Sequence, residues 1–141
     1  MLYFKLLILS MILYATLLQA YEGYSVVVSS ESSIQSISKE ELSRIFLSKT
    51  KRLPNNEKAL TIELKDTQYQ KYFYKSICGK NLKQLKRYWA TIIFTGKGQP
   101  PKKMQDFQDL FKIITENVNA ISYIPKSTTI PNGIKIIYEE E

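Results

Sequence analysis

The 141 residues carry 20 Lys and Arg against 13 Asp and Glu, a formal charge of +7, with one cysteine and no histidine. One cysteine excludes an intramolecular disulfide, and the missing histidine removes the commonest general base and the commonest metal ligand together. A Ser-His-Asp triad is impossible, zinc would have only Cys78 and carboxylates to bind, and the basic balance favours anionic partners.

At the start of the chain, Lys5 precedes an apolar run from Leu6 to Leu18, and Gln19-Ala20 gives way to the polar Tyr21-Glu22-Gly23. This pattern predicts a secretory leader, residues 1–20, cleaved after Ala20. An uncleaved anchor is the alternative, although the run is shorter than the roughly 20 residues that cross a bilayer. No cysteine near the boundary offers a lipid attachment point. Residues 21–141 are enough for one domain with one core. Export predicts a periplasmic protein, loses only Lys5 from the positive charge and makes nucleic acid a poor partner.

Ser25-Val26-Val27-Val28-Ser29 suits a strand buried on both faces, and serines up to Ser36 form a polar loop. Ser38 with Glu41 makes a capping box, and Ile37 with Leu42 a hydrophobic staple, so a helix is expected over 39–47 with Leu42, Ile45 and Phe46 inward. Lys49 to Asn56 reads as a basic turn, and Leu60-Thr61-Ile62-Glu63-Leu64 alternates as a strand. Asp66 or Thr67 can cap a second helix whose stripe of Tyr69, Tyr72, Phe73 and Ile77 points to the core, with Gly79 as its C-cap. At its end, Cys78 is either a small buried apolar residue or a reactive thiol.

Leu82, Leu85, Trp89, Ile92 and Ile93 mark a third helix, followed by the loop Gly96-Lys97-Gly98-Gln99-Pro100-Pro101. Met104, Phe107, Leu110, Phe111 and Ile114 recur at helical spacing and predict a fourth helix. Ala120 to Ile124 and Ile134 to Tyr138 are the remaining strands, ahead of the acidic tail Glu139-Glu140-Glu141. Strands and helices interleave, which predicts an α/β domain whose sheet is covered by helices on both faces.

The segment Tyr88 to Pro101, with Leu42-Ser43-Arg44-Ile45-Phe46-Leu47 upstream and Ala120-Ile121-Ser122-Tyr123-Ile124 downstream, resembles small exported proteins related to phosphate ABC transporter substrate-binding proteins. The resemblance implies a single lobe of the periplasmic-binding-protein-like, type 2 fold, with phosphate as the family ligand. The chain departs from that pattern where relatives carry an arginine and a Ser-Gly-Thr turn, for it reads Leu64-Lys65-Asp66-Thr67-Gln68. Asn119 and Ser122 likewise stand in place of two glycines.

Candidate ligand contacts are Ser29, Ser30 and Ser32 after the first strand, where α/β sheets bind ligands, and Thr67 at a helix N-terminus. Their alternatives are a plain serine turn and a plain cap. Lys97, Lys102 and Lys103 form a candidate basic patch, or a solvated loop. No Gly-x-Ser-x-Gly, Walker A or Gly-x-Gly-x-x-Gly pattern occurs, so no enzyme activity, cofactor or metal is expected. The expected function is exported, non-catalytic binding of phosphate, another oxyanion or an envelope protein. The alternative is a structural or assembly accessory of the envelope that keeps the fold without a solute site.

Overall fold

The computed structural model describes residues 1–5, 7, 23–65 and 67–141. The cleavage point after Ala20, nearly all of the leader's apolar run, Asp66 and the side chain of Thr67 lie outside the described residues. Along the chain run β1 (Tyr24–Ser29), α1 (Lys39–Phe46), β2 (Leu60–Leu64), α2 (Thr67–Cys78), α3 (Leu82–Phe94), β3 (Lys102–Met104), α4 (Phe107–Glu116), β4 (Ala120–Pro125) and β5 (Ile134–Glu139).

The strands form one sheet in the order β3-β2-β4-β1-β5. β2 is parallel to β3 and β4, whereas β1 is antiparallel to both of its neighbours, β4 and β5. Four strands thus share one direction and β1 alone opposes them. Every residue of β1 is buried, as a β-branched run in a central strand should be. Its alternation feeds two cores. Tyr24, Val26 and Val28 join Ile121, Tyr123 and Ile137 beneath α1, α2 and α3, while Val27 joins Ile62, Met104, Ala120, Ile124 and Ile134 beneath α4. Helices therefore cover both faces, three on one and one on the other.

Local chemistry sets the helix limits. Ser38 and Glu41 form the expected reciprocal capping box, and Leu42, Ile45 and Phe46 are the buried face of α1. Asn81 and Gln84 make a second capping box at α3. Gly79 ends α2 at φ +68, a left-handed conformation that glycine adopts without a Cβ penalty.

Two expectations need correction. Met104 does not open the fourth helix: Asp106 caps α4 at Phe107, and Met104 instead ends β3, paired with Leu64. A three-residue strand is too short to show its own period against a helical 3–4 pattern. The buried stripe of α2 is also displaced. Tyr69 is 38% exposed, and Phe73, Tyr74 and Ile77 carry the packing. Cys78 is half-buried and donates through Sγ to the Tyr74 carbonyl at 3.0 Å, which suits the small-residue reading.

Phe73 sits at the centre of the three-helix core. Its ring stacks on Tyr123 at 3.7 Å between centroids and meets Tyr24, Phe46 and Tyr74 edge to face. The variant Phe73→Ala should lose about 3–5 kcal/mol in urea unfolding, from lost transfer energy plus the cavity left behind. Ser38→Ala, which removes one cap, should lose only about 1 kcal/mol.

Candidate functional site

The strand directions define two edges of the sheet. Leu60 is level with Ala120, Tyr24 with Pro125, and Val28 with Ile121. The C-terminal ends of β2, β3 and β4 therefore lie at one edge with the start of β1. The end of β1 lies at the other.

This geometry separates the sequence candidates. Thr67 begins α2 just after the end of β2, at the carboxyl edge of the parallel strands. Ser29 pairs with Ile134, the first residue of β5, and so sits at the opposite edge, roughly four strand residues or 13 Å away. The serines followed a strand end, but β1 runs backwards. Ser29 and Ser32 are buried, and their Oγ atoms accept hydrogen bonds from the Glu31 and Ile34 amides; Ser30 is exposed. The Ser32 carbonyl accepts from Lys135 Nζ at 2.6 Å. These are turn contacts within the loop and to its neighbour strand.

The basic patch is divided as well. Lys97 is exposed beyond the end of α3. Lys102 and Lys103 are successive residues of β3, so their side chains leave opposite faces of the sheet. Lys103 is paired with Glu63, its register partner on β2. Lys102 lines a separate groove with Gly98, Gln99 and Pro100.

Glu63 is the residue whose role the sequence pattern conceals. It is 1% exposed yet carries a carboxylate, which would be costly without partners. It has four. Oε1 accepts from Lys103 Nζ and from Gln70 Nε2, the latter at 3.2 Å. Oε2 accepts from the Tyr123 hydroxyl at 2.7 Å and the Tyr74 hydroxyl at 3.3 Å. The cluster draws on β2, β3, β4 and α2 and lies one residue inside the carboxyl edge. A single Glu in an alternating strand carries no such signal, because its donors come from as far as 60 residues away.

At the edge itself, Lys65 is exposed beyond Leu64, and its backbone amide donates to the Met104 carbonyl at 2.9 Å. α2 has no acidic residue in its first turn. The dipole at its N-terminus favours a negative charge. Among the described residues, no group of three or more His, Cys, Asp or Glu side chains could hold a metal, and no helix is long and apolar enough to cross a membrane.

Burial raises the pKa of Tyr74 well above its ordinary value, and the Glu63 charge adds to this. Burial raises Tyr24 and Tyr88 as well. A phenol with a raised folded pKa contributes stability that is complete below its unfolded value near 10 and is lost as pH climbs toward the folded value. The urea midpoint should therefore hold up to about pH 9 and fall above about pH 10. Glu63→Ala should cost about 2–4 kcal/mol at pH 7, since it removes the carboxylate to which the Tyr74 and Tyr123 hydroxyls donate.

No family model matches the sequence, and no curated protein is significantly similar to it. Solved structures do match. An ABC-type phosphate transport receptor from Vibrio cholerae aligns with 82% of this chain at 13% identity and a TM-score of 0.60. A structure described as a phosphate ABC transporter substrate-binding protein with bound phosphate, from Clostridium perfringens, aligns with 82% at 12% identity and a TM-score of 0.61. The chain spans 45% and 44% of those two proteins. The likeness establishes the fold: this chain has the α/β architecture of a single lobe of such binding proteins.

Proposed function

We propose that this chain is an exported, non-catalytic binding module that takes an oxyanion of the phosphate class at the carboxyl edge of its sheet, where α2 begins at Thr67. The observation that carries this reading is the shared fold with a structure that holds phosphate. It is supported by the rule that open α/β sheets bind ligands beyond the C-terminal ends of their strands, by the acid-free first turn of α2 and by exposed Lys65 beside it. The structures that resemble the chain are binding proteins, which agrees with a role without catalysis. Ser29, Ser30 and Ser32 belong to the other edge, so the reading narrows to Thr67 and the N-terminal end of α2.

A single lobe offers one wall of a cleft. Two or three charge-assisted hydrogen bonds give about 3–9 kcal/mol before the association cost, so a dissociation constant near 1 mM follows. The alternative, an envelope accessory that keeps the fold without solute binding, is favoured by one observation: Phe94 at the end of α3 is 93% exposed beside Ile93 at 55%, a surface suited to a macromolecular contact.

A thermal-shift titration with phosphate, sulfate and chloride at constant ionic strength separates the two. At 10 mM phosphate the expected stabilisation is about 1.4 kcal/mol, a rise of about 5 °C. The rise should vanish in Thr67→Ala and persist in Ser30→Ala. Asp66→Asn, which deletes a carboxylate adjacent in sequence to Thr67, should increase it. No shift with any anion would reject the oxyanion site and leave the accessory reading.

A further inference from the structure

At the edge of the sheet opposite the proposed oxyanion site lies a groove of about 750 Å³. Its floor is aliphatic, from Ile45, Ala59 and Leu60, and Ile93 flanks it. Around that floor stand Lys51, Lys58 and Lys102, with Ser48, Thr50, Thr61 and Gln99. No carboxylate lines it. Among the described residues, none of the three ammonium groups pairs with an acid, since the ion pair of this region engages Lys103 and Glu63. A smaller depression of about 220 Å³ adjoins through Ile45 and Thr50 and adds Arg44 and Arg52, with Glu41 as its one carboxylate, whose Oε2 accepts from the Ser38 amide and hydroxyl. The joined recess is therefore elongated, and its cationic side chains outnumber its single acid.

The walls are held in place from two sides. The Tyr88 hydroxyl on α3 donates to the Leu47 carbonyl at the end of α1, at 2.6 Å. In the loop after α3, Gly98 approaches Ser48 so closely that a Cβ at Gly98 would fall 2.3 Å from Ser48 Oγ. The Gly96 to Pro101 run is thus the built wall of this groove: Gly98 allows the contact, and Pro100 joins Lys102 in the lining.

We infer that this groove is a docking site for an extended acidic peptide segment of a partner protein, with alternating carboxylate and aliphatic side chains. Three ammonium groups without an acid partner around the carboxylate-free main groove select for negative charge. The apolar floor selects against a purely charged polymer. The floor is recessed, with Ile45 only 4% exposed, while Ile93 on its flank is 55% exposed; an inserted side chain reaches that floor and a flat bilayer surface would engage the flank alone. The length of the joined depressions suits a chain rather than a single small anion. The inference does not depend on the oxyanion reading, because the two sites occupy opposite edges.

The test is selection from a random peptide library displayed against the whole protein, followed by fluorescence anisotropy with the most enriched peptide. Enriched sequences should be acidic with interspersed Leu, Ile or Phe. Affinity should fall roughly tenfold or more in the triple variant Lys51→Glu, Lys58→Glu, Lys102→Glu, and severalfold between 50 and 300 mM salt. Gly98→Ala, which changes no charge, should also weaken binding by displacing the wall from Ser48. Phosphate at 10 mM and constant ionic strength should not displace the peptide. Circular dichroism verifies that each variant folds, and the corresponding Lys→Gln triple serves if the reversal does not. Failure to enrich acidic sequences, equal binding by the triple variant, or displacement by phosphate would overturn the inference. So would equal binding of an all-glutamate peptide, or charge-dependent binding to vesicles of anionic lipid in place of the peptide.

Discussion

The buried carboxylate of Glu63 is the constraint around which the fold is arranged. Four donors from β3, β4 and α2 converge on it. Each carboxylate oxygen accepts from two of them, and losing the buried acceptor would cost more than a made hydrogen bond returns. This asymmetry explains why the short edge strand β3 stays in register: Lys103 must face Glu63, and Lys102 must then face away. It also explains why Tyr74 and Tyr123, whose rings pack with Phe73, point their hydroxyls to one place. The aromatic core supplies the apolar area, and the carboxylate supplies the orientation.

The direction of β1 is the second constraint, and it organises the surface. Because β1 opposes the other strands, the loop that follows it emerges at the edge where β2 and β4 begin. One edge therefore gathers the start of α2, Lys65 and the Glu63 cluster. The other gathers the serine loop and the lysine-lined groove. A single-lobe domain built this way presents two chemically distinct faces: one holds the N-terminal end of a helix beside exposed Lys65, and the other exposes ammonium groups over an aliphatic floor. The restraints on the groove come from the backbone, through Leu47 and Gly98, so its shape does not depend on the mobile ends of lysine side chains.

Most of the fold was legible in the sequence, for local reasons. The capping box at Ser38 and Glu41, the staple of Ile37 and Leu42, the β-branched run of β1 and the C-cap at Gly79 each rest on residues within a few positions of one another. Alternating strands and helices then imply a helix-covered sheet. The errors arose where a pattern had two readings. Met104 continued a helical spacing but was claimed by strand pairing with Leu64. Tyr69 continued an aromatic stripe but was left outside because Tyr74 had a buried acceptor. Of the candidate contacts, local chemistry marked Thr67 and the serines alike, and only the direction of β1 shows that they lie at opposite edges of the sheet.

The sequence by itself determined that these residues hold no histidine and cannot close a disulfide among themselves, the positive charge, and the places where helices start and stop, because these depend on composition and on contacts between near neighbours. Tertiary structure alone decided the antiparallel setting of β1, the pairing of Glu63 with Tyr123 across 60 residues, and the placement of Lys102 and Lys103 on opposite faces. It also decided that Gly98 closes on Ser48 to wall a groove. Those outcomes depend on which strands become neighbours and in what direction, and long-range pairing is settled by the burial of two whole cores at once rather than by any local run of residues.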